Sequence, residues 1–385
     1  MKIALVHDWL TGMRGGEKCL EVLCRRFPDA RLYTLLHDQG STSPAIERMR
    51  ITTSFLQRVP GVKRHYRYLL PLMPTAIGSF QIPADVDLVV SFSHAVAKSI
   101  QPPPGVPHVC YCFTPMRYAW HRRADYFRVS AAHKKPIAAA RNLVLDWMRQ
   151  WDQSTSDRVT HFIAISRTIA ERIRECYGRE SHIIYPPVDT DFYTPADVPR
   201  EDFYLYVGAL APYKRVDLAV EAANRLGKQL IVIGSGTDRQ KLARMAGPTV
   251  TLKGWTSDED IRDHMRRARG LIFAANEDFG IVPLEAQACG TPVIALGQGG
   301  ATETVIGTES NQAGVTGFFF NEQTPESLVD AINGFEAQPQ RFDPALARRQ
   351  AERFALHRFE RELLGYIEEV ARRANVSGGA CPHAV

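Results

Sequence analysis

GLIFAANEDFGIVPLEAQACGTPVIAL, residues 270–296, decides the fold. It opens on a short apolar run, 270–274, that reads as a buried strand. A polar loop follows, then a helix from about Pro283, then a second apolar run at 292–296. Proline suits the first helical turn, where its missing N–H has no partner to lose. Strand, helix and strand in immediate succession form the unit of parallel α/β structure.

The alternation extends outward in both directions. Strands are expected at 203–207, 229–233, 250–252 and 317–320, with helices from about 216, over 238–246, after Ser257 and from 325. Ser257 ahead of Asp258 and Glu259 is a helix start by its capping chemistry. The first half repeats the pattern, with strands at 3–7, 31–35, 88–92, 106–112, 161–165 and 181–185 and helices at 17–27, 135–154 and 167–177. Between the halves, Tyr185-Pro186-Pro187-Val188-Asp189 reads as a rigid crossing, because two prolines fix φ and disfavour helix before them. A last helix is expected over about 344–374, and a disordered tail over 377–385. A chain of 385 residues exceeds one ordinary domain. The fold class is therefore α/β, with two Rossmann-like doubly wound domains whose ligands sit outside the carboxyl ends of the strands.

Composition narrows the function classes. No apolar run reaches the roughly 18 to 20 residues that span a bilayer, and the first strand lacks the cleavage pattern of a signal peptide. The seven cysteines are scattered, with no Cys-x-x-Cys pair, which speaks against a zinc site or a disulfide framework. Reduced thiols and a cytoplasmic location are expected. Charge is lopsided: residues 1–190 hold 26 Lys and Arg against 16 Asp and Glu, whereas residues 191–385 hold 21 against 26. An anionic partner for the first half follows, whether nucleic acid, membrane or substrate.

Within the deciding stretch, Glu277 falls in the loop and Glu285 in the helix. The N–H groups of Phe279, Gly280, Ile281 and Val282 at the helix start can receive a diphosphate. Carboxylates beside an anion site suit sugar or ribose hydroxyls, which donate to them. Lys214 and Arg215 lie between a strand and its following helix, where cations oppose the helix dipole. There they can neutralise a diphosphate and stabilise a leaving group. Gly12-Met13-Arg14-Gly15-Gly16-Glu17 opens a helix without matching a dinucleotide fingerprint or a P-loop. His94 follows a strand at its carboxyl end. Asp85-Val86-Asp87 precedes its strand and reads as solvated rather than metal-binding; no metal is expected.

The two glutamates around Phe-Gly, continued by Glu285-Ala286-Gln287-Ala288-Cys289-Gly290-Thr291-Pro292, resemble the signature of glycosyltransferase family 4. The resemblance takes in Tyr206-Val207-Gly208, Pro212-Tyr213-Lys214-Arg215-Val216-Asp217 and the proline crossing. In Val6-His7-Asp8-Trp9-Leu10, Ser93-His94 and Thr114-Pro115-Met116-Arg117-Tyr118 it looks most like the bacterial O-antigen mannosyltransferase branch. It implies the retaining, two-domain GT-B architecture facing a central cleft. Residues 1–187 would then bind the acceptor and 188–360 the nucleotide sugar, with 361–385 the end of the last helix, packing back on the first domain, and a tail.

The resemblance further implies that Glu277 and His94 contact the donor sugar's hydroxyls and Glu285 the ribose. Gly15 and Gly16 would close over the diphosphate, and Gly208, Gly254 and Trp255 complete the donor-binding set. Many relatives carry Arg where this chain has Ala209, a place Arg215 can fill. No cofactor is implied beyond the nucleotide sugar, with GDP-mannose favoured over a UDP-sugar. Arg58, Lys63, Arg64, His65 and Arg67, interleaved with Tyr66, Tyr68, Leu69 and Leu70, join Arg117, Arg122 and Arg123. This composition suits an anionic membrane on the inner face of the cell membrane as well as single-stranded nucleic acid. The enzyme motifs favour a saccharide or lipid-linked saccharide acceptor, touched by Arg64, Arg67, Arg117 and Arg123, over nucleic acid. A non-catalytic nucleotide-sugar-binding protein and an epimerase of the same fold stay open.

Overall fold

The computed structural model describes residues 1–120, 135–307 and 314–378. The chain divides into two compact units, residues 1–186 with 359–385, and residues 187–358.

In the first unit, seven strands form a wholly parallel sheet: β1 Ile3–His7, β2 Arg31–Thr34, β3 Arg50–Thr53, β4 Leu88–Ser93, β5 His108–Cys112, β6 His161–Ala164 and β7 Ser181–Ile183. Their order is β3-β2-β1-β4-β5-β6-β7. β1, β4 and β5 are buried at every residue, as both faces of a covered parallel sheet require. The longer helices are α1 Gly15–Arg26, α2 Lys135–Ser154 and α3 Arg167–Tyr177. Ser166 caps α3 by accepting from the Ile169 N–H.

The second unit holds six parallel strands, β8 Phe203–Val207, β9 Gln229–Ile233, β10 Val250–Gly254, β11 Gly270–Phe273, β12 Val293–Leu296 and β13 Gly317–Phe320. Their order is β10-β9-β8-β11-β12-β13. Helices α4 Val216–Leu226, α5 Arg239–Met245, α6 Asp258–Arg267, α7 Ile281–Ala288, α8 Pro325–Ala337 and α9 Pro344–Glu352 surround it. Side chains alternate between faces with the period of two that a strand imposes. Tyr204, Tyr206, Ile272 and Ile294 pack in one core with Leu218 of α4 and Leu328 of α8. Phe203, Leu205, Val207, Leu271 and Val293 pack in another with Ile261 of α6 and Ala286 of α7.

Four local readings change. β3 was not expected from the sequence: Arg-Ile-Thr-Thr carries no apolar run and borders the sheet, exposed or half-buried throughout. Helix α7 begins two residues before Pro283, because Gly280, with φ 90°, turns the chain into it. The single last helix is two, α9 and α10 Leu356–Gly378. Phe354 and Ala355, between them, bond back to Ala351 and Glu352, and the Phe354 carbonyl accepts from the Val188 N–H. Helix α10 runs to Gly378, into the expected tail; residues 379–385 lie outside the described residues.

Buried His108 ties β4 to the chain before β6. Its Nδ1 lies 3.0 Å from the Arg158 carbonyl and its Nε2 accepts from the Ser91 hydroxyl at 2.8 Å. Burial, assisted by the Lys98 charge, lowers its pKa to about 4 despite the carbonyl. The unfolded imidazole, near 6.5, binds its proton first, so stability present above that pH is lost as pH falls towards 4. The loss should approach about 3 kcal/mol. Urea unfolding between pH 7.5 and 4.5 should show this slope, and His108→Gln should flatten it.

Candidate functional site

Each sheet has one place where consecutive connections leave in opposite directions: between β1 and β4 in the first, and between β8 and β11 in the second. Ligands of doubly wound sheets bind outside the carboxyl ends at such places. Most of the expected donor-site residues lie there, in two groups described separately, whereas Gly254 and Trp255 follow β10.

In the first unit, β1 delivers His7 and Asp8 and β4 delivers Ser93 and His94, with His7 beside Phe92 in register. Asp8 is wholly buried. Its carboxylate accepts from four consecutive main-chain N–H groups: His94 at 2.6 Å, Ala95 at 3.0 Å, Val96 at 2.7 Å and Ala97 at 2.7 Å. His94 Nδ1 lies 3.0 Å from the same carboxylate. Burial alone would raise the Asp8 pKa; the His94 charge and these hydrogen bonds hold it down to about 2. Burial lowers the pKa of His7, whose Nδ1 lies 3.0 Å from the Trp9 carbonyl. His94 stands edge-on to Trp9, ring centroids 4.5 Å apart. Gly15 and Gly16 are the first residues of α1, and Glu17 accepts from the Arg14 N–H at 3.1 Å. A side chain at Gly16 would meet the Phe113 ring at 3.2 Å.

The second group follows β8 and β11. Lys214 and Glu277 are joined in an ion pair, both side chains about four-fifths covered. Tyr206 underlies them: burial, then the Glu277 charge and Tyr213, push its hydroxyl pKa well up, and it donates to the Ala209 carbonyl at 3.2 Å. Arg215 turns elsewhere. It is the one non-glycine described residue with positive φ, 52°, and its guanidinium reaches Asp217 at 3.2 Å. Lys241 shares that carboxylate at 3.8 Å. The loop after β8 is pressed against that after β9, so a side chain at Gly234 would come within 1.8 Å of the Gly208 carbonyl oxygen.

Phe279, Gly280, Ile281 and Val282 form the turn into α7. The Gly300 N–H donates to the Glu277 carbonyl at 2.8 Å, fixing the start of that loop. Glu285 is buried on α7, and after burial its charge is the main cause raising the Tyr193 pKa. Gly254 ends β10, and Trp255 beyond it is 66% exposed. Arg239 Nη1 comes within 3.6 Å of where a side chain on Gly254 would start.

The basic residues are less gathered. Arg117 is half-buried after β5, Arg64 and Arg67 lie between β3 and β4, and Arg122 and Arg123 are outside the described residues. Asp85 and Asp87 stand at the amino end of β4, where Lys2 holds Asp85 at 3.0 Å through Nζ and Asp87 at 2.7 Å through its N–H. From the sequence, Asp8 and Tyr206 are legible only inside motifs, with no role of their own, and Arg239 is not singled out. Only Asp8 carried a signal, an acidic residue directly after an apolar strand.

Residues 13–192 match the family described as Glycosyltransferase Family 4, and residues 193–353 match Glycosyl transferases group 1. D-inositol 3-phosphate glycosyltransferase of Mycobacteroides abscessus is 32% identical over 206 residues, 47% of this chain and 45% of that protein. The chain spans about half the length of the curated relatives it matches. Among solved structures, HepE of Anabaena in complex with UDP and glucose is 18% identical with a TM-score of 0.68, over 96% of this chain and 99% of that one. Sucrose-phosphate synthase of Thermosynechococcus elongatus is 18% identical with a TM-score of 0.70, over the same shares. At such identity the likeness is one of fold, and that fold is GT-B. The mannosyltransferase branch finds no support in these relatives.

Asp8→Ala would leave four inward-facing N–H groups without their acceptor. Unfolding free energy should fall by about 3 kcal/mol or more. Denaturant titration of the purified variant checks this; unchanged stability would mean the carboxylate does not organise residues 94–97.

Proposed function

We propose that this chain, which carries the two glycosyltransferase family domains over residues 13–353, transfers a sugar from a nucleotide-activated donor to a saccharide acceptor. The observation that carries this reading is the Lys214–Glu277 pair at the β8–β11 switch point, beside the start of α7. A diphosphate takes the Lys214 ammonium and the α7 N–H groups, and sugar hydroxyls then satisfy the released Glu277. A bond forms between the acceptor oxygen and the anomeric carbon as the bond to phosphate breaks. The acceptor's proton passes to the leaving phosphate oxygen, with retention of configuration and no metal in the step. Arg215 serves as the second cation only after leaving Asp217.

GDP-mannose is the proposed donor, on the resemblance of the His7-Asp8-Trp9 and Ser93-His94 segments. A UDP-sugar is the second reading, favoured by the complex of HepE with UDP and glucose. A thermal-shift panel of GDP, UDP, ADP and their sugar conjugates separates them. A ligand at about 100 times its dissociation constant adds roughly 2.7 kcal/mol to stability. Lys214→Ala should weaken binding of the responding nucleotide by about tenfold or more, and Glu277→Ala should abolish transfer while leaving the fold intact. Silence across the panel would refute the reading.

The proposed acceptor is a glycan or lipid-linked saccharide presented at an anionic membrane. No helix among the described residues is long and apolar enough to cross a membrane. The basic segment around Arg64 and Arg67 carries exposed Phe55, Tyr68 and Leu72, and helix α2 exposes Leu143 and Trp147, apolar groups of the kind that enter a lipid interface. Flotation with phosphatidylglycerol vesicles should show salt-sensitive binding that Arg64→Glu with Arg67→Glu abolishes. Equal flotation of the double variant would sink this surface.

A further inference from the structure

The hydrogen-bond inventory around Asp8 leaves one arrangement for the neighbouring imidazole. An ionised carboxylate only accepts, and the Asp8 oxygens already receive four main-chain N–H groups. A bare lone pair on His94 Nδ1, 3.0 Å from one of those oxygens, would face another lone pair. Nδ1 therefore carries the proton, and in the neutral ring Nε2 is the bare nitrogen, since the bond made by one nitrogen sets the state of the other. A ring flipped by 180° would set Cδ2–H, a far weaker donor than N–H, against the carboxylate oxygen that Nδ1 faces at 3.0 Å.

His7 repeats the logic one strand over. Its Nδ1 meets the Trp9 carbonyl, which can only accept, and its Nε2 is buried with no hydrogen-bond partner. The two imidazoles lie 6.3 Å apart. Both hold their protons towards the protein and their lone pairs away from those partners. His7 is sealed in, whereas 29% of the His94 side chain is exposed.

We propose that Asp8 is a positioning residue that locks His94 as its Nδ1–H tautomer, so that Nε2 accepts a hydrogen bond from a sugar hydroxyl at the carboxyl end of the first sheet. This deepens the glycosyltransferase reading and rests on it. An imidazole in water favours the opposite tautomer, whose Nε2–H would donate to a phosphate as readily as to a hydroxyl oxygen. The lock makes position 94 an acceptor, which suits a neutral polyol and repels an anion. The same carboxylate fixes the main chain of residues 94–97, so ring position and ring tautomer are set together.

The test uses the full chain labelled with 15N-histidine. A long-range 1H–15N spectrum is recorded where the imidazoles are neutral, with His94→Gln to assign the resonance. The expected spectrum shows a protonated Nδ1 and a pyridine-like Nε2 for His94; the reverse pattern overturns the proposal. Asp8→Asn should shift the ring towards the Nε2–H form. It should also lower kcat with GDP-mannose or UDP-glucose by about tenfold, the worth of one lost hydrogen bond, with a smaller change in KM. If that variant does not fold, His94→Asn serves instead: its amide can still donate to Asp8 but has no atom at the Nε2 place. The fold should persist and turnover fall; undiminished turnover overturns the proposal. If the wild-type chain turns over neither donor, the transferase reading fails, and the spectrum of the free protein still decides the tautomer lock.

Discussion

A parallel strand can be left only from its carboxyl end, and at one point in each sheet two connections must leave that edge in opposite directions. The main chain parts there, exposing N–H groups and strand-end side chains that no neighbouring strand covers. Both candidate groups in this chain occupy such points, β1 with β4 and β8 with β11. Polar side chains gather there because the central strands β1, β4, β5, β11 and β12 are buried along their length, and their carboxyl ends are where the main chain opens.

The two points are held open by different means. In the first unit a single buried carboxylate replaces water for four main-chain N–H groups, a costly burial offset by the hydrogen bonds that both of its oxygens receive. In the second unit, glycine does the corresponding work. Gly234 lets the β9 loop close on the Gly208 carbonyl, and Gly280 turns the chain into α7 from a left-handed conformation. Lys214 and Glu277 meanwhile neutralise one another, so neither charge stands bare at that point.

Much of this was legible in residue order. Apolar runs four to six residues long, broken by glycine and proline and separated by amphipathic stretches, point to covered parallel sheets, and the proline crossing at 185–189 divides them into two. The glutamate pair around Phe279-Gly280, the cations at 214 and 215 and His94 could be placed at strand ends because they directly follow or lie close behind those runs. β3 was not legible, since an edge strand needs no apolar alternation. The break between α9 and α10 was not either, because Phe354 bonds to a residue some 166 positions away in sequence.

Sequence alone, then, determined the fold class, the order of elements and which loops carry polar chemistry, because these follow from local periodicity and turn residues. Only the tertiary structure decided partners. Lys214 meets Glu277 across 63 positions while adjacent Arg215 turns to Asp217. Asp8 binds residues 86 to 89 positions away. A side chain's charge and length can be read from the chain, but what it faces depends on which strands lie side by side, and strand order is a property of the whole sheet.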